Sequence, residues 1–570
     1  MRYLKILAML SLCIVLLTIS CGGSASEETD ERLETADLVL RGGKVATVDK
    51  DFTIRQAVAV QGDKIVFVGG AAEVEPYIGP ETKVIELAGK LVLPGLVDCQ
   101  GNMHTLGDKL SRLDINNTKS YQEIIDLVVK KAQTLEPDQW IIGGRWDQND
   151  WPVKEFPVHD RLSEVTPDHP VYLERVDGIS ALVNRKAMEI AQVTKDTPQV
   201  YGGEIKRKAD GEPTGVFINR ARYLITRHFP SEDEEQYRRK FFNALEHSLA
   251  VGLTGWHEIG VSDQQIEFYK ELIDNQQLKM RINAILGEQD ILSLNPKMFL
   301  NRNRIDQYGN YFLAVRGVRL TLDGALGSRG AVLFEPYADD PNNYGLTQVE
   351  PEYVYQVALA ALQTGMTLTT NCIGTKANWL CLNAYEKALQ ENPVKDHRLS
   401  IGHAQVVRRE DIARFAELGV IPSMQPTHCT SDMDFVVDRI GPERAKGAYA
   451  WRSFLDAGCI IPCGSDFPVE SNNPMLGIYA AITRQNAEGE PQGGWYGEQK
   501  MTIEEAIKGY TIWAAYATFQ EEVLGSIEVG KLADMVVLDK DILEIEPKEI
   551  LTTQVLYTIV GGKIVYEKND

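Results

Sequence analysis

Residues 91–99 read Leu-Val-Leu-Pro-Gly-Leu-Val-Asp-Cys, an apolar run of strand length that ends on a polar group and runs straight into Gln100 and Asn102. Seven further runs of the same kind follow, at 252–258, 281–286, 315–322, 367–372, 399–404, 420–424 and 460–466. Short, near-continuous apolar runs mark strands buried on both faces, as in a parallel sheet. Amphipathic stretches of helical length lie between them, among them 231–250, 351–363, 409–417 and 443–456. Eight such strands alternating with helices close as a (β/α)8 TIM barrel, and this α/β fold is the expectation.

Working outward, shorter pieces that alternate apolar and polar residues lie at 37–48, 57–69 and 83–87, and the pattern returns at 535–538, 555–560 and 563–566. Both chain ends are therefore expected to share one composite β-sandwich domain. The irregular stretch after the first barrel strand, which carries Trp146 and Trp151, reads as an insertion capping the barrel mouth. The expected order is sandwich (36–88), first barrel strand (89–104), insertion (105–230), barrel (231–520) and sandwich again (521–570). Ahead of these, Arg2 and Lys5 precede an apolar stretch from Ile6 to Ile19, too short to span a bilayer, and Cys21 follows at once. Residues 1–21 read as a lipoprotein signal peptide with lipidation at Cys21, and 22–35 as an acidic tether. The expected location is the cell envelope, as an outer-membrane or periplasm-facing lipoprotein anchored to the membrane through that lipid.

The 570 residues include 81 Asp and Glu against 59 Lys and Arg, a net charge of −22 with no basic block. Such a surface repels a phosphate backbone, so nucleic acid is excluded as a partner. Six cysteines remain once Cys13 and Cys21 are set aside, and no two form a Cys-x-x-Cys pair, so buried free thiols are expected rather than a disulfide framework.

In a barrel of this kind chemistry collects where the strands end. Polar residues at or near those ends are Gln100, Asn102, His257, Glu258, Arg319, Asp323, Asn371, His403, Gln425, His428 and Asp466. Seven of the eight strands thus place a polar group at one rim, the pattern of a ligand pocket.

The runs Leu93-Pro94-Gly95-Leu96-Val97-Asp98, Trp146-Asp147-Gln148-Asn149-Asp150-Trp151, Leu322-Asp323-Gly324-Ala325-Leu326-Gly327-Ser328-Arg329, His403-Ala404-Gln405, Met424-Gln425-Pro426-Thr427-His428, Gly464-Ser465-Asp466-Phe467-Pro468-Val469-Glu470 and Gly530-Lys531-Leu532-Ala533-Asp534 carry a resemblance. Together they resemble the amidohydrolase superfamily, in particular its YtcJ-like branch, which includes N-substituted formamide deformylases. The resemblance implies a barrel with a composite β-sandwich and a divalent metal centre that activates water to hydrolyse C–N bonds of small amides. It implies metal ligands from a His-x-His at the first strand, a lysine that can be carbamylated, a His at the fifth and sixth strands and an Asp at the eighth.

This chain departs from that pattern. The His-x-His position reads Gln100-Gly101-Asn102, the lysine position Arg319 and the fifth-strand position Asn371, leaving His403 and Asp466. Neutral amides are poor zinc ligands, and a guanidinium repels a cation. No metal and no other cofactor is therefore expected. Two further positions differ: Asp177-Gly178-Ile179 stands where the family carries Asp-Gly-His, and Gly402-His403-Ala404-Gln405 where it carries Glu-His-Ala-Gln.

Three functions fit these residues. The first is a divergent hydrolase of an amide or ester bond in a small molecule, with Asp466 and His403 as a base and its partner on water and Arg319 supplying the fixed positive charge beside Asp466. The second is a pseudoenzyme that binds a small molecule, and the third a metal-free isomerase or lyase. In each, Gln100, Asn102, His257, Asp323, Arg329, Asn371, Gln425 and His428 are expected to meet the ligand, with Trp146 and Asp177 contributed by the insertion.

Overall fold

The computed structural model describes residues 35–176, 180–287 and 295–569. The run 91–99 divides after Pro94, which closes the first strand and has no amide hydrogen to donate to a ladder. Leu91–Pro94 joins the terminal sheet, antiparallel to Met535–Leu538 and parallel to the Lys44–Val45 pair, whereas Leu96–Gly101 joins the barrel. Gly95 makes the joint, because any Cβ there would overlap the side chain of Thr254 on the next barrel strand.

Seven parallel strands follow one another around the barrel: Leu96–Gly101, Leu253–Val261, Arg281–Leu286, Leu313–Thr321, Thr367–Cys372, Ser400–His403 and Ile421–Ser423. The eighth position is extended chain held by two isolated parallel bridges, Met424 to Cys463 and Gly101 to Phe467. Its regularity is broken by Pro462, which donates nothing, and by Asp466, whose φ of 57° leaves the pleat. Cys99 N still donates to Cys463 O at 3.1 Å and Met424 N to Pro462 O at 3.0 Å, so the gap is bridged.

The helices between the strands stop where the sequence stops them. Pro351–Thr364 opens on a proline and ends at Gly365 (φ 67°), and Arg409–Leu418 ends at Gly419 (φ 69°), left-handed positions suited to glycine. The helix expected over 443–456 is instead the tail of Pro426–Ala445 followed by Trp451–Asp456. Gly441 (φ 75°), just before Pro442, kinks the longer one. Behind the strands Trp256, Phe241, Tyr269, Phe415 and Phe454 are fully buried, each contributing roughly 2 kcal/mol or more of transfer free energy.

Both chain ends contribute to one eight-stranded sheet, in the order Lys563–Glu567, Val555–Val560, Met535–Leu538, Leu91–Pro94, Leu38–Ala46, Ile54–Gln61, Lys64–Gly69, with Lys83–Glu86 also paired to Leu38–Ala46. A buried two-pronged ion pair ties this sheet to the barrel: Arg281 Nε donates to Asp534 Oδ2 at 2.6 Å and Nη2 to Oδ1 at 2.9 Å. Between residues 113 and 219 the insertion builds its own six-stranded sheet and a separate core around Ile124, Val128, Trp146, Trp151 and Leu162. All six cysteines of the described residues are buried free thiols. Among the described residues no helix is long and apolar enough to cross a membrane, and the proposed leader and tether lie outside them, apart from Thr35 at the tether's end.

Candidate functional site

Gln100, at the end of the first barrel strand, sits at the centre of a hydrogen-bonded cluster. Its Nε2 donates to Asp466 Oδ1 at 2.7 Å and lies 3.3 Å from His403 Nε2, while its Oε1 accepts from Gln425 Nε2 at 3.1 Å. These contacts orient the amide, since the reverse placement would set its oxygen against the Asp466 carboxylate. His403 Nε2 is then the acceptor, with the ring proton on Nδ1. The His428 ring stacks on His403, with 5.7 Å between centroids and 7° between planes.

The local chain is built to hold this cluster. Asp98, buried beneath it, accepts from Gln100 N at 3.0 Å, Ser465 N at 3.1 Å and Ser465 Oγ at 2.6 Å. Gly464 must lack a side chain, because a Cβ there would come within 2.7 Å of Gln100 N. A Cβ on Gly101 would run into the Phe467 ring. His403 (φ 68°), Ala404 (φ 40°) and Asp466 (φ 57°) hold left-handed backbone that non-glycine residues adopt at a cost, and such strain gathers at working sites.

Burial sets the charge states. It lowers His403 to about 3, with the Arg319 guanidinium as the second cause. It lowers His428 and His257 to about 4 each, so all three imidazoles are neutral near pH 7. Burial raises Asp98 to about 7. Arg319 lines a cavity of about 30 Å³ inside the barrel with Gln100, His257, Asn371 and Ser400. Four buried atoms here have no hydrogen-bond partner among the described residues: His257 Nε2, Asn371 Oδ1, His403 Nδ1 and His428 Nε2. Unmet buried polar atoms are rare, and several at one barrel end call for a polar ligand.

Other expected site residues have different duties. Asn102 Oδ1 caps the helix Met103–Ser111, accepting from Thr105 N at 2.9 Å and Thr105 Oγ1 at 2.6 Å. Asp323 accepts from the backbone N–H of Val332, Ile373 and Gly374, all within 2.9 Å, and shapes the loops after the fourth and fifth strands rather than facing a ligand. Arg329 pairs with Asp339 at 2.8 Å, away from the cluster's hydrogen bonds. Trp146 is fully buried in the insertion's core and donates to Leu173 O, because an indole that size is better used as packing for a small sheet. Asp177 lies outside the described residues. Glu258 points the opposite way from His257 and accepts from Met103 N at 2.9 Å, anchoring the first helix.

Glu470 is a further acid near the cluster that strand-end position alone does not single out. It accepts from Ser431 Oγ at 2.7 Å; burial raises its carboxyl, and Lys109, Asp466 and Arg145 all act on it electrostatically. Its signal in sequence was its place four residues past Asp466.

The donor set does not fit the family's metal. Among the described residues no group of three or more His, Cys, Asp or Glu side chains is arranged to hold an ion. The Gln100 amide nitrogen already faces both Asp466 Oδ1 and His403 Nε2, the lone pairs that a cation would require.

Comparison with known proteins agrees with the fold: the amidohydrolase family model matches residues 83–566, and the chain belongs to that family. It is 32% identical to Protein LONG AFTER FAR-RED 3 of Arabidopsis thaliana, over 93% of this chain and 92% of that one. It is 30% identical to the putative amidohydrolase YtcJ of Bacillus subtilis, over 93% and 99%. To the N-substituted formamide deformylase of Arthrobacter pascens it is 26% identical, over 93% and 98%. An uncharacterized metal-dependent hydrolase from Pyrococcus furiosus superposes with a TM-score of 0.70 at 27% identity, covering 89% of this chain and all of that one.

Proposed function

We propose that the barrel mouth binds a small molecule through an amide or ester group and hydrolyses it without a divalent metal. The observation that carries this reading is the convergence of Asp466, His403, His428 and Asn371 at one barrel end, with buried polar atoms lacking partners. The carboxylate of Asp466 acts as base on a water, and Arg319 supplies positive potential to the oxyanion that forms. His403, held neutral at about 3, serves as a hydrogen-bonding partner rather than as the base. Water that no metal acidifies stays near a pKa of about 15.7, which restricts the reaction to esters and activated amides. The relative named for N-substituted formamides supports an amide-type substrate.

The test is turnover of a panel of nitrophenyl esters and N-substituted formamides by the purified protein with chelator present. Slow, chelator-insensitive turnover that Asp466→Asn abolishes is expected; loss of turnover to chelator, or its survival in Asp466→Asn, overturns the reading. A second reading, binding without catalysis, is favoured by the weak basicity of His403 and by the Gln100 donor already on Asp466. A ligand that raises the melting temperature and is recovered unchanged selects it.

We also propose that the chain is a lipoprotein of the cell envelope, anchored at Cys21. Mass spectrometry of the mature N-terminus tests this: a diacylated cysteine supports it, and an unmodified N-terminus retaining residues 1–20 rejects it.

A further inference from the structure

We infer that the Gln100 carboxamide is this chain's own replacement for a metal ion, a neutral double donor seated between Asp466 and His403 that closes the centre to divalent cations. A cation at such a spot works by taking lone pairs from an imidazole and a carboxylate. An amide NH2 makes the same demand with its two hydrogens, and here Gln100 Nε2 meets Asp466 Oδ1 at 2.7 Å and His403 Nε2 at 3.3 Å. The group cannot turn over, because Gln425 Nε2 holds its oxygen at 3.1 Å. Nor is there slack around it. A side chain on Gly402, the position where the family resemblance placed Glu, would come within 2.6 Å of Asn371 Oδ1 and 3.4 Å of Gln100 Oε1.

The substitution changes what the centre can do. A metal would bring charge; the amide brings donors and geometry alone. Gln100 is thus a positioning residue, fixing where the free edge of Asp466 and the Nδ1–H of His403 point. One atom separates this state from a metal site. Gln100→Glu would set a second carboxylate beside Asp466 and His403, with His428 stacked behind, a donor set of the kind that binds zinc. The inference concerns occupancy and not turnover, so metal uptake by Gln100→Glu tests it whether or not the wild type hydrolyses anything.

The experiment uses the full chain and its Gln100→Glu and Gln100→Leu variants, each incubated with zinc, desalted and assayed for bound metal, with melting followed in parallel. Wild type is expected to retain less than about 0.1 equivalent and to melt unchanged with zinc, whereas Gln100→Glu takes up about one equivalent. Without metal, Gln100→Glu should melt lower than wild type, because it sets a second carboxylate against Asp466, and zinc should restore it. Gln100→Leu keeps the bulk but lacks the donors, so it should melt lower and bind no metal. About one equivalent of zinc in the wild type, lost in His403→Ala, overturns the inference. A folded Gln100→Glu that takes up none overturns it as well. Should that variant fail to fold, the wild-type measurement decides alone.

Discussion

Asp98 and Ser465 lock the first barrel strand to the segment that closes the barrel, with Ser465 donating to Asp98 through both its backbone N–H and its hydroxyl. The same carboxylate receives Gln100 N, so one buried acid aligns the two chain segments that carry Gln100 and Asp466.

Asp98 makes the fold pH-dependent. Burial raises its carboxyl to about 7, so the folded state keeps a proton that the unfolded chain has already lost. Its contribution is complete below the unfolded value and disappears as pH rises through about 7. Asp98→Asn keeps an acceptor for the two amides and removes the titration. It should therefore be closest to wild type near pH 4 and gain on the order of 3–4 kcal/mol relative to it by pH 8 in denaturant unfolding. An identical pH profile in variant and wild type would refute this.

The imidazoles pull in the opposite sense. His428, lowered to about 4, excludes a proton that the unfolded chain accepts, so stability is lost as pH falls from the unfolded range toward 4. His428→Gln should move the acid-unfolding midpoint to lower pH and gain on the order of 2 kcal/mol over wild type near pH 4. Circular dichroism across an acid titration measures it.

Gly101→Ala should force the Phe467 ring aside and with it the neighbouring Asp466. We expect a loss of about 2–3 kcal/mol and of ligand binding, partly restored by adding Phe467→Ala, which frees the space. Additive damage in the double variant would show that the overlap is not the cause.

Arg484 is fully buried, with its guanidinium 4.4 Å from the Trp451 ring and 5.3 Å from Trp495, and it donates to the carbonyls of Trp495 and Tyr449. Arg484→Lys keeps the charge and loses the plane that stacks and forks. A cost of about 2–4 kcal/mol follows, read as a lower melting temperature. Equal stability would mean that charge alone matters there.

Some of this was legible in the residues. Runs 281–286 and 367–372 become strands over the same span because each pairs with a parallel neighbour on both sides, which demands extended chain throughout. The run 91–99 misled because apolar character says nothing about which sheet a strand enters; Pro94 and Gly95 decide that. The closing segment is less regular than its composition, since ladder geometry depends on Pro462 and on a strained Asp466. At the site, residue types at strand ends were readable, but pairing was not. Charge singled out Arg319 beside Asp466, but nothing in the residue types announced the Gln100 amide as a donor to this carboxylate. Arg329 and Asp323 carry the right groups and spend them on Asp339 and on loop amides.

The pairing of Leu91–Pro94 with Met535–Leu538 sets an order on biosynthesis. The strand that leads into the barrel emerges from the ribosome about 440 residues before its sheet partner. Until then one edge of Leu91–Pro94 has no neighbour, and the barrel's opening strand is tethered to an unfinished sheet. A chain released before Met535 would keep its mouth residues and lack that seam, so the later strands act as a check: only a chain extended past Leu538 can seat the segment on which the first half of the pocket hangs.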